Sequence, residues 1–153
     1  MKTLFLGDIC PTPSTDPLFA ASDTVSLFGD AVTLFADRDF VCCNLECALT
    51  ASENAIEKFG PNLKGCPNTA KVLKNLGVTC CGLSNNHVFD FGKEGATDTL
   101  RYLKEVGLLY TGFGENYEDA RKDLVFEKDG ETLCVIAVCE HEYSYSLDDR
   151  MGS

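Results

Sequence analysis

The sequence predicts an α/β fold, and two patterns along the chain support this prediction. Short apolar runs, typical of buried strands, alternate with longer segments whose apolar residues recur at helical spacing. Polar side chains directly follow several of these apolar runs, at the position where α/β sheets bind their ligands. The length of 153 residues fits one domain with its own core, and we expect a single domain over residues 1–153.

The strands are predicted from apolar runs that end in polar or turn-forming residues. They lie at residues 2–6, 39–46, 78–83, 108–111, 124–127 and 132–139. The last two are predicted to form a hairpin, because Asp129 and Gly130 between them are a strong turn signal.

The helices are predicted from apolar spacing and from residues that begin or end helices. They lie at residues 67–76 and 93–106, with one or two more between 16 and 37 and a short turn at 116–120. Pro67 suits a first turn, Gly77 follows the helix end, and Gly29 is a candidate break. Residues 51–65 are predicted to be a loop over the sheet, whose Lys58 and Lys64 are expected either in solvent or against an anionic substrate.

The connection at residues 83–92 carries the densest group of functional side chains, between a predicted strand and a predicted helix. It contains Asn85, Asn86, His87 and Asp90. Two amides, an imidazole and a carboxylate can supply metal ligands, an oxyanion donor and an orienting acid. The alternative interpretation is that the two asparagines only form a turn and that Asp90 caps the helix.

Side chains with metal-ligand chemistry stand at the ends of four predicted strands. In chain order they are Asp8; Asn44 and Glu46; Asn86 and His87; and His141 and Glu142. Asn44 and Glu46 share a face through the two-residue period of a strand. If the four strands belong to one sheet, these groups meet at one edge. Oxygen-rich ligands with an occasional imidazole suit manganese, iron, zinc or magnesium, so we expect a divalent metal site there.

The acidic composition restricts the classes of partner. A formal charge of −11 argues against a broad nucleic-acid or anionic-membrane surface, since both need clustered Lys and Arg. The first residues become polar too soon for a signal peptide, and no run approaches the roughly 20 apolar residues of a membrane span. We therefore expect a cytoplasmic chain without a membrane span.

Nine cysteines are present, and none falls in a C-x2-C pair, which argues against zinc-ribbon and thioredoxin-like sites. Most lie in strand-like runs, where a free thiol behaves as a small hydrophobe, so reduced cysteines are expected. An alternative is a cysteine hydrolase that uses Cys139 with His141, which lie two residues apart.

Five segments resemble the signatures of the CapA family of bacterial capsule-synthesis and poly-γ-glutamate biosynthesis proteins, which are relatives of the calcineurin-like metallophosphoesterases. They are residues 7–9, 44–50, 84–92, 98–107 and 111–114. The resemblance runs in order over residues 1–139. It implies a metallophosphatase-like α/β/β/α sandwich, of which this chain is expected to be only the N-terminal half, truncated at the C-terminus.

The resemblance also implies roles for particular residues. Asp8 would be a first-strand metal ligand, Glu46 with Asn44 would take the place of a bridging carboxylate, and Asn86 would bind metal through its amide oxygen. His141 completes the expected metal set. His87 would donate to a substrate oxyanion, and Asp90 completes the expected catalytic pair. One departure is Cys10, which stands where phosphoesterases usually carry a ligand histidine.

The function expected from these observations is capsule or poly-γ-glutamate biosynthesis with a metal-dependent, phosphatase-like hydrolase site. The substrate would be a phosphoester or an anionic polymer. The alternative is a non-catalytic binding or assembly module of the same fold. Because a truncated sheet exposes apolar surface, we also expect self-association through the interface of the missing half.

Overall fold

A parallel four-stranded sheet forms the centre of the protein, and it confirms the predicted α/β fold. The computed structural model describes residues 1–140 and 143–153. Its strands are β1 (Thr3–Ile9), β2 (Phe40–Leu45), β5 (Cys80–Gly82) and β6 (Leu109–Thr111). They lie in the order β1-β2-β5-β6, and each neighbouring pair is parallel. All four carboxyl ends therefore lie along one edge.

Two longer helices and several short ones connect the strands. They are α1 (Asp16–Ala21), α2 (Thr24–Phe28), a 3₁₀ helix (Gly29–Phe35), α3 (Asn68–Leu76), α4 (Gly92–Glu105) and α5 (Tyr117–Ala120). The predicted stop after α3 is confirmed, because Gly77 takes a left-handed conformation at φ 95° that other residues rarely adopt. Gly29 also has a positive φ, 55°, and separates α2 from the 3₁₀ helix, as predicted.

The two faces of the sheet are covered by different elements, as the alternation along β2 shows. Val41, Cys43 and Leu45 belong to the large core that also contains the buried residues of α3 and α4. Phe40 and Cys42 point the other way, into a smaller cluster under the hairpin of β7 (Leu124–Lys128) and β8 (Glu131–Val135).

The predicted hairpin is confirmed, but its place in the fold corrects one prediction. Asp129 and Gly130 both have positive φ, 51° and 80°, which suits the tight turn of a two-residue hairpin. However, among the described residues β7 and β8 pair only with each other, and β8 ends at Val135 rather than at residue 139. The prediction that residues 132–139 form one strand of the shared sheet is therefore wrong. The chain after β8 still reaches the connection that follows β5, since the Ala137 carbonyl oxygen accepts the Ser84 hydroxyl at 3.0 Å. The fourth place in the sheet belongs to β6, which pairs with β5 in parallel.

Two further details of the strands differ from the prediction. β1 continues through Ile9 after an irregularity between Phe5 and Asp8, so Asp8 lies inside the strand and not beyond it. The segment predicted to be a loop, residues 51–65, ends in β4 (Lys64–Gly65), which pairs in parallel with β3 (Ala48–Leu49). A two-residue strand is too short to produce a periodic pattern.

The cysteines form neighbouring pairs across the sheet. Cys42 stands opposite Cys80 and Cys43 opposite Cys81, and the Sγ atoms of the second pair are 3.8 Å apart. The hydrogen bond to Cys43 and then burial raise the pKa of the Cys81 thiol. The hydrogen bond to Cys42 and then burial raise the pKa of the Cys80 thiol in the same way. A raised pKa keeps a thiol protonated, and the protonated form is unreactive.

We expect all nine cysteines to be titratable thiols in freshly prepared protein. Thiol counting under denaturing, non-reducing conditions checks this. The Cys43 and Cys81 sulfurs would have to approach from 3.8 Å to about 2 Å to form a disulfide. A count of seven that rises to nine after reduction would contradict the prediction.

In the parts of the chain that the structure describes, no helix combines the length and the apolar character that crossing a bilayer requires.

Candidate functional site

The ends of β1 and β2 bring together Asp8, Asn44 and Glu46. Asn44 lies opposite Asp8 in the register of the two strands. Its amide nitrogen donates to Asp8 Oδ1 at 2.9 Å and also to Glu46 Oε2. Two carboxylates, both partly or fully open to solvent, therefore converge on one amide group at the sheet edge.

Asn85 joins this group to the connection that follows β5. Its side chain is almost fully buried, at 5% exposure. The amide nitrogen donates to Asn44 Oδ1 at 3.0 Å and to the carbonyl oxygen of Leu45 at 2.9 Å. The amide oxygen accepts the backbone N–H groups of His87 and Val88 at 3.0 and 2.8 Å. Asn85 is thus more than a turn residue, since it links two strand ends.

His87 and Asp90 are in direct contact. His87 Nδ1 lies 2.7 Å from Asp90 Oδ2. Nδ1 also lies 3.1 Å from the Lys58 ammonium, so this ring nitrogen is engaged within the protein and Nε2 is the ring atom left for a substrate. Asp90 does not cap α4, because the residue at that position is Phe91, without a side-chain cap. The orienting role is therefore the one that the geometry supports.

Lys58 is the residue whose surroundings the sequence did not reveal. The expectation that it lies in solvent is wrong, whereas the expectation that it meets an anionic substrate stays a prediction. Its side chain is 2% exposed and forms an ion pair with Asp90, whose side chain is fully buried. The Lys58 ammonium also lies 3.1 Å from His87 Nδ1 and 3.4 Å from the carbonyl oxygen of Asn86. By contrast, Lys64 pairs with the exposed carboxylate of Glu53.

The loop that carries Lys58 is fastened to the site by Asp90. The backbone N–H of Leu63 donates to Asp90 Oδ2 at 2.7 Å, and the N–H of Ile56 donates to the Asp90 carbonyl at 2.9 Å. Asp90 therefore binds both sides of the loop as well as Lys58 and His87. No sequence signal identifies this arrangement, because Lys58 and Leu63 lie about 30 residues before Asp90 in the chain.

The remaining predicted residues differ in their surroundings. Asn86 lies next to His87, and its side-chain amide makes no hydrogen bond to any residue within 1–140 or 143–153. His141 lies outside the described residues, so its predicted metal role stays a prediction. Cys139 is exposed, and its thiol lies 3.3 Å from Ser153 Oγ. The alternative that pairs Cys139 with His141 also depends on a residue outside the described ranges.

A segment near the C-terminus contributes a contact that sequence reasoning missed. Ser144 is buried, and its hydroxyl donates to the carbonyl oxygen of Asn85 at 2.9 Å. Gly152 pairs with Gly114 through two backbone hydrogen bonds, which hold this segment beside the turn that follows β6. Asn85 is thereby fixed by its backbone as well as by its side chain.

Cys10 stands close to the same edge and has an altered thiol. A hydrogen bond with Cys47 lowers the pKa of Cys10, while burial and the nearby carboxylates of Glu46, Asp90 and Asp8 oppose this change. The same hydrogen bond, together with burial, raises the pKa of Cys47 well above its ordinary value. The pKa values of the two thiols are therefore linked through this hydrogen bond.

The chemistry of the edge suits a cation, but the described ligands are few. Asp8 and Glu46 direct oxygens to the point that the Asn44 amide nitrogen, the positive end of its dipole, now fills. Hard oxygen donors of this kind suit manganese or magnesium. Within residues 1–140 and 143–153, however, no group of three or more His, Cys, Asp or Glu side chains is arranged to hold a metal ion.

Comparison with known proteins finds one matching family and relatives whose names agree with it. The sequence model of the family described as "Bacterial capsule synthesis protein PGA_cap" matches residues 2–152. The chain is 30% identical over 125 residues to the capsule biosynthesis protein CapA of Bacillus anthracis. It is 28% identical over 138 residues to the PGA biosynthesis protein CapA of Bacillus subtilis strain 168.

These matches cover most of this chain and about a third of each relative. They include 80% and 89% of the chain, but only 30% and 36% of the two relatives. A probable polyglutamine synthesis accessory protein of Mycobacterium tuberculosis is 30% identical over 97 residues, which are 62% of this chain and 26% of that protein.

Proposed function

Because the chain belongs to the bacterial capsule synthesis family PGA_cap, whose model it matches over residues 2–152, we propose that it acts in capsule or poly-γ-glutamate biosynthesis. Within that role it carries a phosphatase-like hydrolase or transferase site at the carboxyl edge of the sheet. The substrate class is a phosphoester or an anionic polymer. The names of the Bacillus relatives support the biosynthetic part of this proposal.

The observation that carries the proposal is one continuous chain of polar contacts along the sheet edge. It runs from Asp8 through Asn44 and Asn85 to the His87 loop, and from the His87 ring through Asp90 to Lys58. Buried polar groups are costly unless they are paired, so a network of this extent is expected either at a functional site or at a specific structural junction. Its position at the strand ends favours a functional site.

In this proposal His87 acts on the substrate through Nε2. Asp90 contacts Nδ1 at 2.7 Å and so fixes the orientation of the ring. The Nε2 atom accepts a proton when it carries none and donates one when it is protonated. A donor placed where charge develops on a substrate oxygen stabilises the transition state more than the ground state.

A divalent ion, with Asp8 and Glu46 as ligands and Asn86 as a further oxygen donor, is the cofactor in this proposal. When bound, such an ion polarises a phosphoryl or carbonyl oxygen and makes a bound water more acidic. The two carboxylates fit the ligand chemistry, while the remaining ligands have to come from outside the described set. His141 is the predicted candidate.

We expect Asp8→Asn to weaken Mn²⁺ binding at least about 10-fold, because it removes one of two converging carboxylates. Isothermal titration with Mn²⁺ measures this, and hydrolysis of p-nitrophenyl phosphate with and without Mn²⁺ tests the activity. Asp30→Asn is the matched control, since it makes the same charge change at an exposed position. Equal affinity in wild type and Asp8→Asn would refute the metal site.

One observation favours a second candidate, a non-catalytic binding or assembly module of the same fold. The carboxylates of Asp8 and Glu46 already share an internal donor, Asn44, so the group is also explained as a structural junction between β1 and β2. Mn²⁺-dependent hydrolysis that disappears in Asp8→Asn would exclude this candidate. Wild-type protein without such hydrolysis would support it.

A further inference from the structure

The direction of the Asn85 side chain is fixed by its backbone partners. One end of the amide faces the N–H groups of His87 and Val88, at 3.0 and 2.8 Å. A backbone N–H can only donate, so this end of the amide has to be the oxygen. The nitrogen end then faces the carbonyl oxygen of Leu45 at 2.9 Å, which can only accept. Rotating the amide by half a turn would break all of these bonds.

The direction of Asn85 determines the direction of Asn44. Because the Asn85 nitrogen donates at 3.0 Å, the atom of Asn44 that it meets has to be the oxygen. The Asn44 nitrogen is then left to face Asp8 and Glu46, whose carboxylates accept its two hydrogens. The two amides therefore form a relay whose polarity starts at the backbone of the His87 loop and ends at the carboxylates.

We propose that Asn85 is a positioning residue that sets both parts of the site at once. Its oxygen holds the backbone of the His87 loop, and its nitrogen sets Asn44, which in turn holds the Asp8 and Glu46 carboxylates. Asn44 acts in this arrangement as a donor to the carboxylates, and its oxygen is not free to bind metal. The catalytic meaning of this role rests on the proposed function, whereas the hydrogen-bond relay itself does not.

The surroundings of Asn85 agree with a positioning role. The residue is 5% exposed and its side-chain amide is bonded to protein groups at both ends, so it acts through its neighbours. Its carbonyl oxygen accepts the Ser144 hydroxyl at 2.9 Å, which restrains the backbone as well. A fully hydrogen-bonded buried amide resists displacement, because each lost partner leaves a polar atom unpaired away from water.

The variant Asn85→Asp tests the relay, because it keeps the accepting end of the side chain and removes the donating end. The carboxylate still accepts the N–H groups of His87 and Val88 but has no hydrogen to donate to Asn44 or Leu45. We expect the side-chain amide of Asn44 to lose protection, with hydrogen exchange at least about tenfold faster by ¹⁵N-resolved NMR. The backbone amides of His87 and Val88 are expected to stay protected. Asn75→Asp, an exposed position on α3, is the control with the same charge change and should alter neither signal.

A purely structural role predicts a different pattern. If Asn85 only contributes stability, both groups of signals lose protection together, in proportion to the fall in the unfolding midpoint. That result would overturn the proposal, as would an Asn44 amide that exchanges equally fast in wild type and Asn85→Asp.

A second variant keeps the test decisive if Asn85→Asp does not fold. In Asn44→Asp the carboxylate still accepts from the Asn85 nitrogen, so the Asn85 side-chain amide is expected to retain its wild-type protection. Loss of that protection would refute the relay. These measurements need neither metal nor turnover, so absence of Mn²⁺ binding or hydrolysis would refute the proposed function and leave the relay standing.

Discussion

Lys58→Met is expected to lower the free energy of unfolding by about 3–5 kcal/mol, the cost of leaving a buried charge without its partner. The Lys58 side chain is 2% exposed and is the ion-pair partner of the fully buried Asp90 carboxylate. Methionine fills much the same volume, so the loss reports the missing charge rather than a cavity. Urea-induced unfolding followed by circular dichroism measures the change.

Two further variants show whether the loss comes from this ion pair. Lys64→Met removes a lysine from the same loop, but its partner Glu53 is largely exposed, so a change within about 1 kcal/mol is expected. The double variant Lys58→Met with Asp90→Asn removes both charges and should recover much of the loss, because no buried carboxylate is left unpaired. Equal losses for Lys58→Met and Lys64→Met would show that burial of Lys58 does not matter energetically.

His87→Ala is expected to reduce the rate of Mn²⁺-dependent phosphoester hydrolysis by about 10²–10³-fold, which is typical for loss of one oxyanion donor. Mn²⁺ affinity should change little, because the ring nitrogen that is engaged among the described residues, Nδ1, faces Asp90 and not Asp8 or Glu46. Steady-state kinetics with p-nitrophenyl phosphate and titration with Mn²⁺ measure the two quantities separately.

The neighbouring residue supplies the complementary variant. Asn86→Ala is expected to weaken Mn²⁺ binding, since its amide has no hydrogen-bond partner among the described residues and is a candidate oxygen ligand. His87→Gln, which keeps an N–H donor on a side chain of similar length, should retain more activity than His87→Ala. The assignment of roles fails if His87→Ala abolishes Mn²⁺ binding while Asn86→Ala changes neither affinity nor rate.

The residues of the candidate site were predictable from the sequence because each follows a strong local pattern. Asp8, Asn44 with Glu46, and Asn86 with His87 stand at or just after strands that apolar runs identify. Parallel strands place their carboxyl ends at one edge, so their proximity followed from the fold class. The sequence did not predict that residues 132–135 form a separate hairpin instead of a strand of the central sheet. The same apolar alternation fits both structures.

The sequence by itself determined the α/β class, most helix and strand positions, the Asp-Gly turn and the family resemblance, since these depend on local periodicity and on motifs. Only the tertiary structure decided the surroundings of Lys58 and the role of Asn85. Lysine in a polar loop and asparagine in a turn have ordinary explanations when read locally. Their partners, Asp90 and Asn44, lie 32 and 41 residues away along the chain. Burial and hydrogen bonding across such separations depend on how the chain folds back on itself, and no local pattern encodes them.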